Sequence, residues 1–135
     1  MVLNMISREK SAFKDYNGDE WFVPYIQIAV SNDVINGINE EKFGVGMSIT
    51  REDSAVIVAR TMSASGYRTL NKAELTFADN FAISDYAYDA IAKLHHEKII
   101  NGYTDGTFAP KNTITRAEAA VMIYRAFTVV NREAM

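Results

Sequence analysis

The chain holds 135 residues with a formal net charge of -3 and a sequence pI near 5.4. At 48% hydrophobic and 23% charged it has globular composition, long enough for one ordinary core or two small coupled units. No basic excess exists to release counterions from a polyanion, so neither nucleic acid nor an anionic membrane is an expected partner. The absence of cysteine excludes disulfides and thiolate metal sites, and no apolar run approaches the roughly 18 residues of a spanning helix.

Taken in chain order, residues 1–10 lack the basic start, apolar stretch and small-residue cleavage site of a signal peptide. Export would need a signal on a longer parent chain, or one already removed. Val2-Leu3-Asn4-Met5 reads either as the closing turn of a preceding repeat or as a short apolar strand or tail. Phe13-Lys14-Asp15 then opens a first unit over 11–63. Phe22, Tyr25, Ile26 and Ala29 recur at i, i+3, i+4, i+7, which predicts a helix with Pro24 in its first turn. After the turn at Asn36-Gly37, a second helix carries Ala55, Val58, Ala59 and Met62 on one face. Residues 64–76 lack a clear period and form the connection.

A second unit over 77–130 says the same thing again. It opens with Phe77-Ala78-Asp79, and Ala87, Ala90, Ile91 and Leu94 form the apolar face of its first helix. The loop Asn101-Gly102-Tyr103-Thr104-Asp105-Gly106-Thr107-Phe108-Ala109-Pro110 carries Asn-Gly and Asp-Gly turn signals. The closing helix repeats the apolar spacing with Ala120, Ile123, Tyr124 and Phe127. Ile35-Asn36-Gly37, Phe43 and Ile49-Thr50-Arg51 recur 65 residues on as Ile100-Asn101-Gly102, Phe108 and Ile114-Thr115-Arg116. Such self-similarity marks a repeat architecture, and repeated units present repeated binding surfaces more readily than one catalytic centre.

Thr115-Arg116-Ala117-Glu118 is a capping box, and Thr50-Arg51-Glu52-Asp53 is the same device with a shorter acid, whose return bond should be poorer. Capping explains the Thr and the acid but not the Arg, which opposes the helix dipole by a few tenths of a kcal/mol. A guanidinium beside the free N–H groups of a helix start suits a carboxylate or phosphate. The competing reading is a structural salt bridge to Asp15, Asp79 or Asp105. Trp21, Tyr86 and Tyr103 suit stacking on a flat ligand face, or core packing.

These residues, at this joint spacing over about nine-tenths of the chain, resemble the S-layer homology modules of bacterial surface proteins. The second copy matches closely; the first keeps Phe13-x-Asp15, Trp21, Pro24-Tyr25-Ile26, Asn36-Gly37, Phe43 and Ile49-Thr50-Arg51. The resemblance implies an all-α fold of tandem helix–loop–helix repeats packed as a pseudo-threefold bundle. It implies a non-enzymatic module, without cofactor or metal, located outside the cell at a bacterial surface or wall. The implied partner is a pyruvylated sugar of a secondary cell-wall polysaccharide on peptidoglycan, held in grooves between repeats. On the matching positions, the ligand-binding residues would be Arg116, Arg51, Trp21, Tyr86, Gly102, Tyr103, Asp105 and Gly106. In the first copy Asn39-Glu40-Glu41-Lys42 replaces Thr104-Asp105-Gly106-Thr107 and the acid is Asp53, which weakens the case for its groove more than for its fold.

Other signals point elsewhere. His95 and His96 are adjacent on a helix, about 100° apart, and do not form a metal pair. The 101–112 loop lacks the acidic ligand set of a calcium loop, and no nucleophile elbow, phosphate loop or zinc-protease motif occurs. Arg60 and Arg125 read as last-turn cations that complement the helix dipole. The alternative function is a protein–protein assembly module of a surface layer, with a second copy of the chain as partner, because exposed apolar stripes favour association.

Overall fold

The computed structural model describes residues 13–37, 39–68 and 71–134, with side chains through Asn131. It is all-α: α1 spans Val23–Ser31, α2 Arg51–Ala64, α3 Asp85–His96 and α4 Arg116–Ala134. A 3-10 turn at Asn80–Ala82 precedes α3, and the described residues hold no strand, only an isolated antiparallel bridge between Thr50 and Thr113. The residues preceding Phe13, including Val2 to Met5, lie outside the described residues. The chain divides into two compact units between Met47 and Ser48.

In the first unit, Pro24 sits in the first turn of α1, where its missing N–H costs nothing. Val23 and Ile26 are buried, while Tyr25 points to solvent, unlike the expected face. The Phe13 ring meets Phe43 at 5.4 Å and Tyr16 at 6.4 Å. Asp15 explains the Phe-x-Asp signature: it accepts from the amides of Phe43, Gly44 and Val45 at 2.8–3.1 Å. Those bonds, led by the Phe43 amide, hold its carboxyl below the ordinary value.

The second unit repeats the device. Asp79 accepts from the amides of Phe108 and Ala109, both at 2.9 Å, and Phe77 packs on Phe108 at 5.3 Å. Gly102 is needed for that approach, since a Cβ there would lie 2.6 Å from Phe77 Cε1 and 2.8 Å from the Thr107 carbonyl. Gly37 stands in the same relation to Phe13 and the Lys42 carbonyl. The loop tips differ. Asp105 accepts from the hydroxyl and amide of Thr107, with Gly106 at φ +88. In the first loop the Asn39 side chain accepts from Glu41 and Lys42 instead.

The core of the second unit joins three helices. Ala55, Val56 and Met62 of α2 meet Ala87, Ile91 and Leu94 of α3, and Met122, Ala126 and Val129 of α4, around Ile99 and Phe108. Val58 and Ala59 pack against this core, so α2 buries its expected face. In α4 the outcome differs: Ile123, Tyr124 and Phe127 are 61%, 69% and 67% exposed, and Ala120 is exposed with them. Ala119, Met122, Ile123 and Ala126 satisfy the same i, i+3, i+4, i+7 template one residue earlier, and packing selects the register that carries Met122 and Ala126. Neither Arg60 nor Arg125 lies in a last turn, because α2 continues to Ala64 and α4 to Ala134. The dipole account of both therefore fails.

Candidate functional site

Thr50 caps α2 through a 3.2 Å bond from the Asp53 amide, and no return bond from the shorter Asp53 is made among the described residues. The next amides, of Arg51 and Glu52, donate to the carbonyls of Asn112 and Pro110 at 2.8 and 3.0 Å. Loop carbonyls thus fill the start of α2. Arg51 follows the backbone inward and is only 6% exposed. Its Nε donates to the Phe108 carbonyl at 2.7 Å, Nη1 to Glu118 Oε2 at 2.5 Å and Nη2 to the Asn101 carbonyl at 3.3 Å. The guanidinium also lies 4.4 Å from the Tyr103 ring centroid and 4.7 Å from that of Phe108. The acid that pairs with Arg51 is Glu118, not Asp15, Asp79 or Asp105.

Glu118 is the hub of this arrangement. It completes the capping box, accepting from the Thr115 amide while its own amide donates to Thr115 Oγ1, both at 3.0 Å. It also accepts from the Tyr103 hydroxyl at 2.7 Å. The Tyr103 bond, with the Thr115 amide and Arg51, holds the Glu118 carboxyl below its ordinary value, and the same carboxylate raises the Tyr103 hydroxyl.

Beside this pair a cavity of about 380 Å³ opens between the 101–103 turn and α4. Arg51 and Tyr103 form its inner wall, and Gly102 and Asn101 its rim. Ala117, Val121 and Arg125, at i, i+4, i+8, line it from α4. Met122 and Ile99 supply the apolar floor. Tyr103 remains 41% exposed, so part of its ring faces solvent.

Of the residues the sequence singled out, the structure therefore brings Arg51, Gly102 and Tyr103 together at one cavity. Asp105 and Gly106 shape the same loop without lining it. Arg116, at the start of α4, is exposed and has no side-chain partner among the described residues, and its amide and that of Ala117 are free. Trp21 belongs to the first unit, where it is 80% exposed and touches Phe22 and Tyr25 edge-on at 5.7 and 6.3 Å. Tyr86 belongs to a separate cluster. Its hydroxyl donates to Asp53 at 2.5 Å and lies 3.2 Å from Glu52, and Asp53 pushes that hydroxyl well up. In the same cluster the buried Glu52 accepts from the Ser84 amide at 2.9 Å, the Ser84 hydroxyl at 2.7 Å and Lys111 at 2.7 Å. Burial pushes the Glu52 carboxyl up, but Lys111 and Ser84 outweigh it and hold the group below its ordinary value.

Sequence reasoning missed Asn101 and Arg125 as cavity residues, and treated Glu118 only as a cap. A signal for Arg125 was present: Arg60 and Arg125 recur at the 65-residue interval of the motifs.

Comparison with known proteins matches residues 12–55 and 76–120 to the S-layer homology domain. The chain is 33% identical to an exoglucanase (XynX) of Acetivibrio thermocellus over 92% of its own length and 12% of the relative's. It is 34% identical to an amylopullulanase of Thermoanaerobacterium thermosulfurigenes over 83% of the chain and 6% of that protein. A cellulosome-anchoring protein of Acetivibrio thermocellus is 37% identical over 58% of the chain and 17% of its own length. The chain thus spans a small fraction of each of these relatives.

Proposed function

The chain belongs to the S-layer homology domain family, and from this we propose that it is a non-catalytic module that anchors its protein at a bacterial cell surface. Two differently named enzymes share this segment with an anchoring protein, over 12%, 6% and 17% of their lengths. What they have in common is therefore attachment rather than chemistry. No helix among the described residues is long and apolar enough to cross a membrane.

The ligand we assign is a pyruvylated sugar of a secondary cell-wall polysaccharide on peptidoglycan. The observation that carries this reading is Arg116, exposed at the start of α4 with no side-chain partner among the described residues; the half-exposed Tyr103 ring lies separately, in the cavity that α4 borders. An aromatic ring takes the apolar face of a sugar, and Arg takes a carboxylate by two parallel bonds. Of the two helix-start arginines, Arg51 is committed to protein acceptors, whereas Arg116 stands free beside two free amides. Arg116 is the one we assign to the ketal carboxylate.

Co-sedimentation with purified sacculi tests this. The chain should pellet with sacculi that keep the polymer and stay in solution with acid-stripped ones, and Arg116→Ala should weaken pelleting while melting like the parent. Equal pelleting with stripped sacculi would remove the polymer from the reading. The exposed Ile123, Tyr124 and Phe127 favour a second reading, protein–protein assembly. It predicts a concentration-dependent oligomer lost in Phe127→Asp, with no polymer-dependent pelleting.

A further inference from the structure

The cavity contains one guanidinium that is spent and one that is not. Arg51 delivers its Nε and both terminal nitrogens to Phe108, Glu118 and Asn101, and its planar faces to two rings. Its charge is neutralised by Glu118 at 2.5 Å. Arg125, by contrast, lines the cavity, is exposed, and has no hydrogen-bond or ion-pair partner among the described residues. It lies two helical turns from Glu118, about 10.5 Å along the axis, so that acid does not neutralise it. The charged side chains on the cavity wall therefore sum to one unpaired positive charge, contributed by α4.

We propose that Arg125 forms an anion-binding subsite of its own, which grips the carboxylate of an acidic sugar whose ring lies over the exposed face of Tyr103. The inference rests on the wall-polymer reading above and adds a residue and a position to it. Val121 and Met122 line the stretch of α4 between Ala117 and Arg125, an apolar strip suited to the C–H face of a sugar. Asn101, also without a side-chain partner among the described residues, offers an amide at the rim for hydroxyl groups. The volume of about 380 Å³ falls within the roughly 300–1,000 Å³ of small-ligand sites. Arg116 and Arg125 are nine residues apart, about 13.5 Å along α4. At about 100° per residue they also point about 180° apart around the helix, so the two arginines form separate sites.

The test measures co-sedimentation of the full chain with polymer-bearing sacculi over a concentration series, for the parent, Arg125→Gln and Arg125→Lys. Loss of one charge-assisted contact should weaken Arg125→Gln about ten- to a hundredfold. Arg125→Lys, which keeps the charge but loses the planar fork, should fall between. Added salt should weaken the parent more steeply than Arg125→Gln. Both variants should melt with the parent, because Arg125 makes no hydrogen bond or ion pair among the described residues. If the parent pellets and Arg125→Gln pellets equally well, the subsite is overturned while the wall-polymer reading stands. If the parent fails to pellet at all, both fall.

Discussion

Removing Arg51 should damage the fold far more than removing Arg116, although the two occupy the same position in the same motif. Arg51→Ala leaves the Glu118 carboxylate without its cation and the Phe108 and Asn101 carbonyls without their donors. Breaking a buried ion pair from one side costs about 3–5 kcal/mol. The Glu118 side chain keeps 28% of its surface in water, which places the cost at the lower end, about 3 kcal/mol. In a unit of this size each kcal/mol shifts the melting point by about 4–8 °C, so the loss should be roughly 12–24 °C. Arg116→Ala removes no side-chain hydrogen bond or ion pair among the described residues and should stay within about 0.5 kcal/mol of the parent. Far-ultraviolet circular dichroism is the suitable probe, because the single Trp lies in the other unit. Arg51→Lys should fall between, and a double-mutant cycle with Glu118→Gln should show coupling of about 0.5–3 kcal/mol. If Arg51→Ala melts together with Arg116→Ala, the assignment of Arg51 as a structural cation is refuted.

Ala109 sits at φ 58, while the equivalent position in the first loop is Gly44 at φ 100. Ala109→Gly should therefore stabilise by up to about 1 kcal/mol in urea unfolding, since a left-handed alanine costs about 1–2 kcal/mol and glycine repays part of that as entropy. Gly102→Ala should do the opposite, costing about 1–3 kcal/mol as its Cβ drives into Phe77 and the Thr107 carbonyl; an unchanged urea midpoint would show that the loop relaxes freely. The Glu52 and Glu118 carboxyls are both held below their ordinary value. Their contribution is present above the unfolded value, about 4.3, and is lost as pH falls through the folded value. The urea midpoint should thus drop below about pH 4, and the margin of the parent over Glu52→Gln should shrink there.

The amino-acid sequence by itself determined the local chemistry of this protein. The 65-residue repeat, the starts of α2 and α4, the capping box at Thr115 and Glu118, and the turn at Gly106 are decided within a few residues. They are legible because caps and turns use short-range bonds that specific side chains make anywhere. The family could be read at this level too, since its signature is a set of such local solutions at fixed spacing. Tertiary structure decided the rest. Asp15 and Asp79 reach loops about thirty residues away, and nothing local marks them as loop anchors. The apolar residues of α4 fit two helical registers, and only packing against α2 and the shared core selected the one that buries Met122 and Ala126 and leaves Ile123, Tyr124 and Phe127 bare. Arg51 and Arg116 are equivalent by every local measure. One is enclosed because the Phe108 loop and Glu118 fold around it, and the other is free because the described residues place nothing over it. Which arginine supports the fold and which remains available to a ligand is therefore a property of packing, not of the motif.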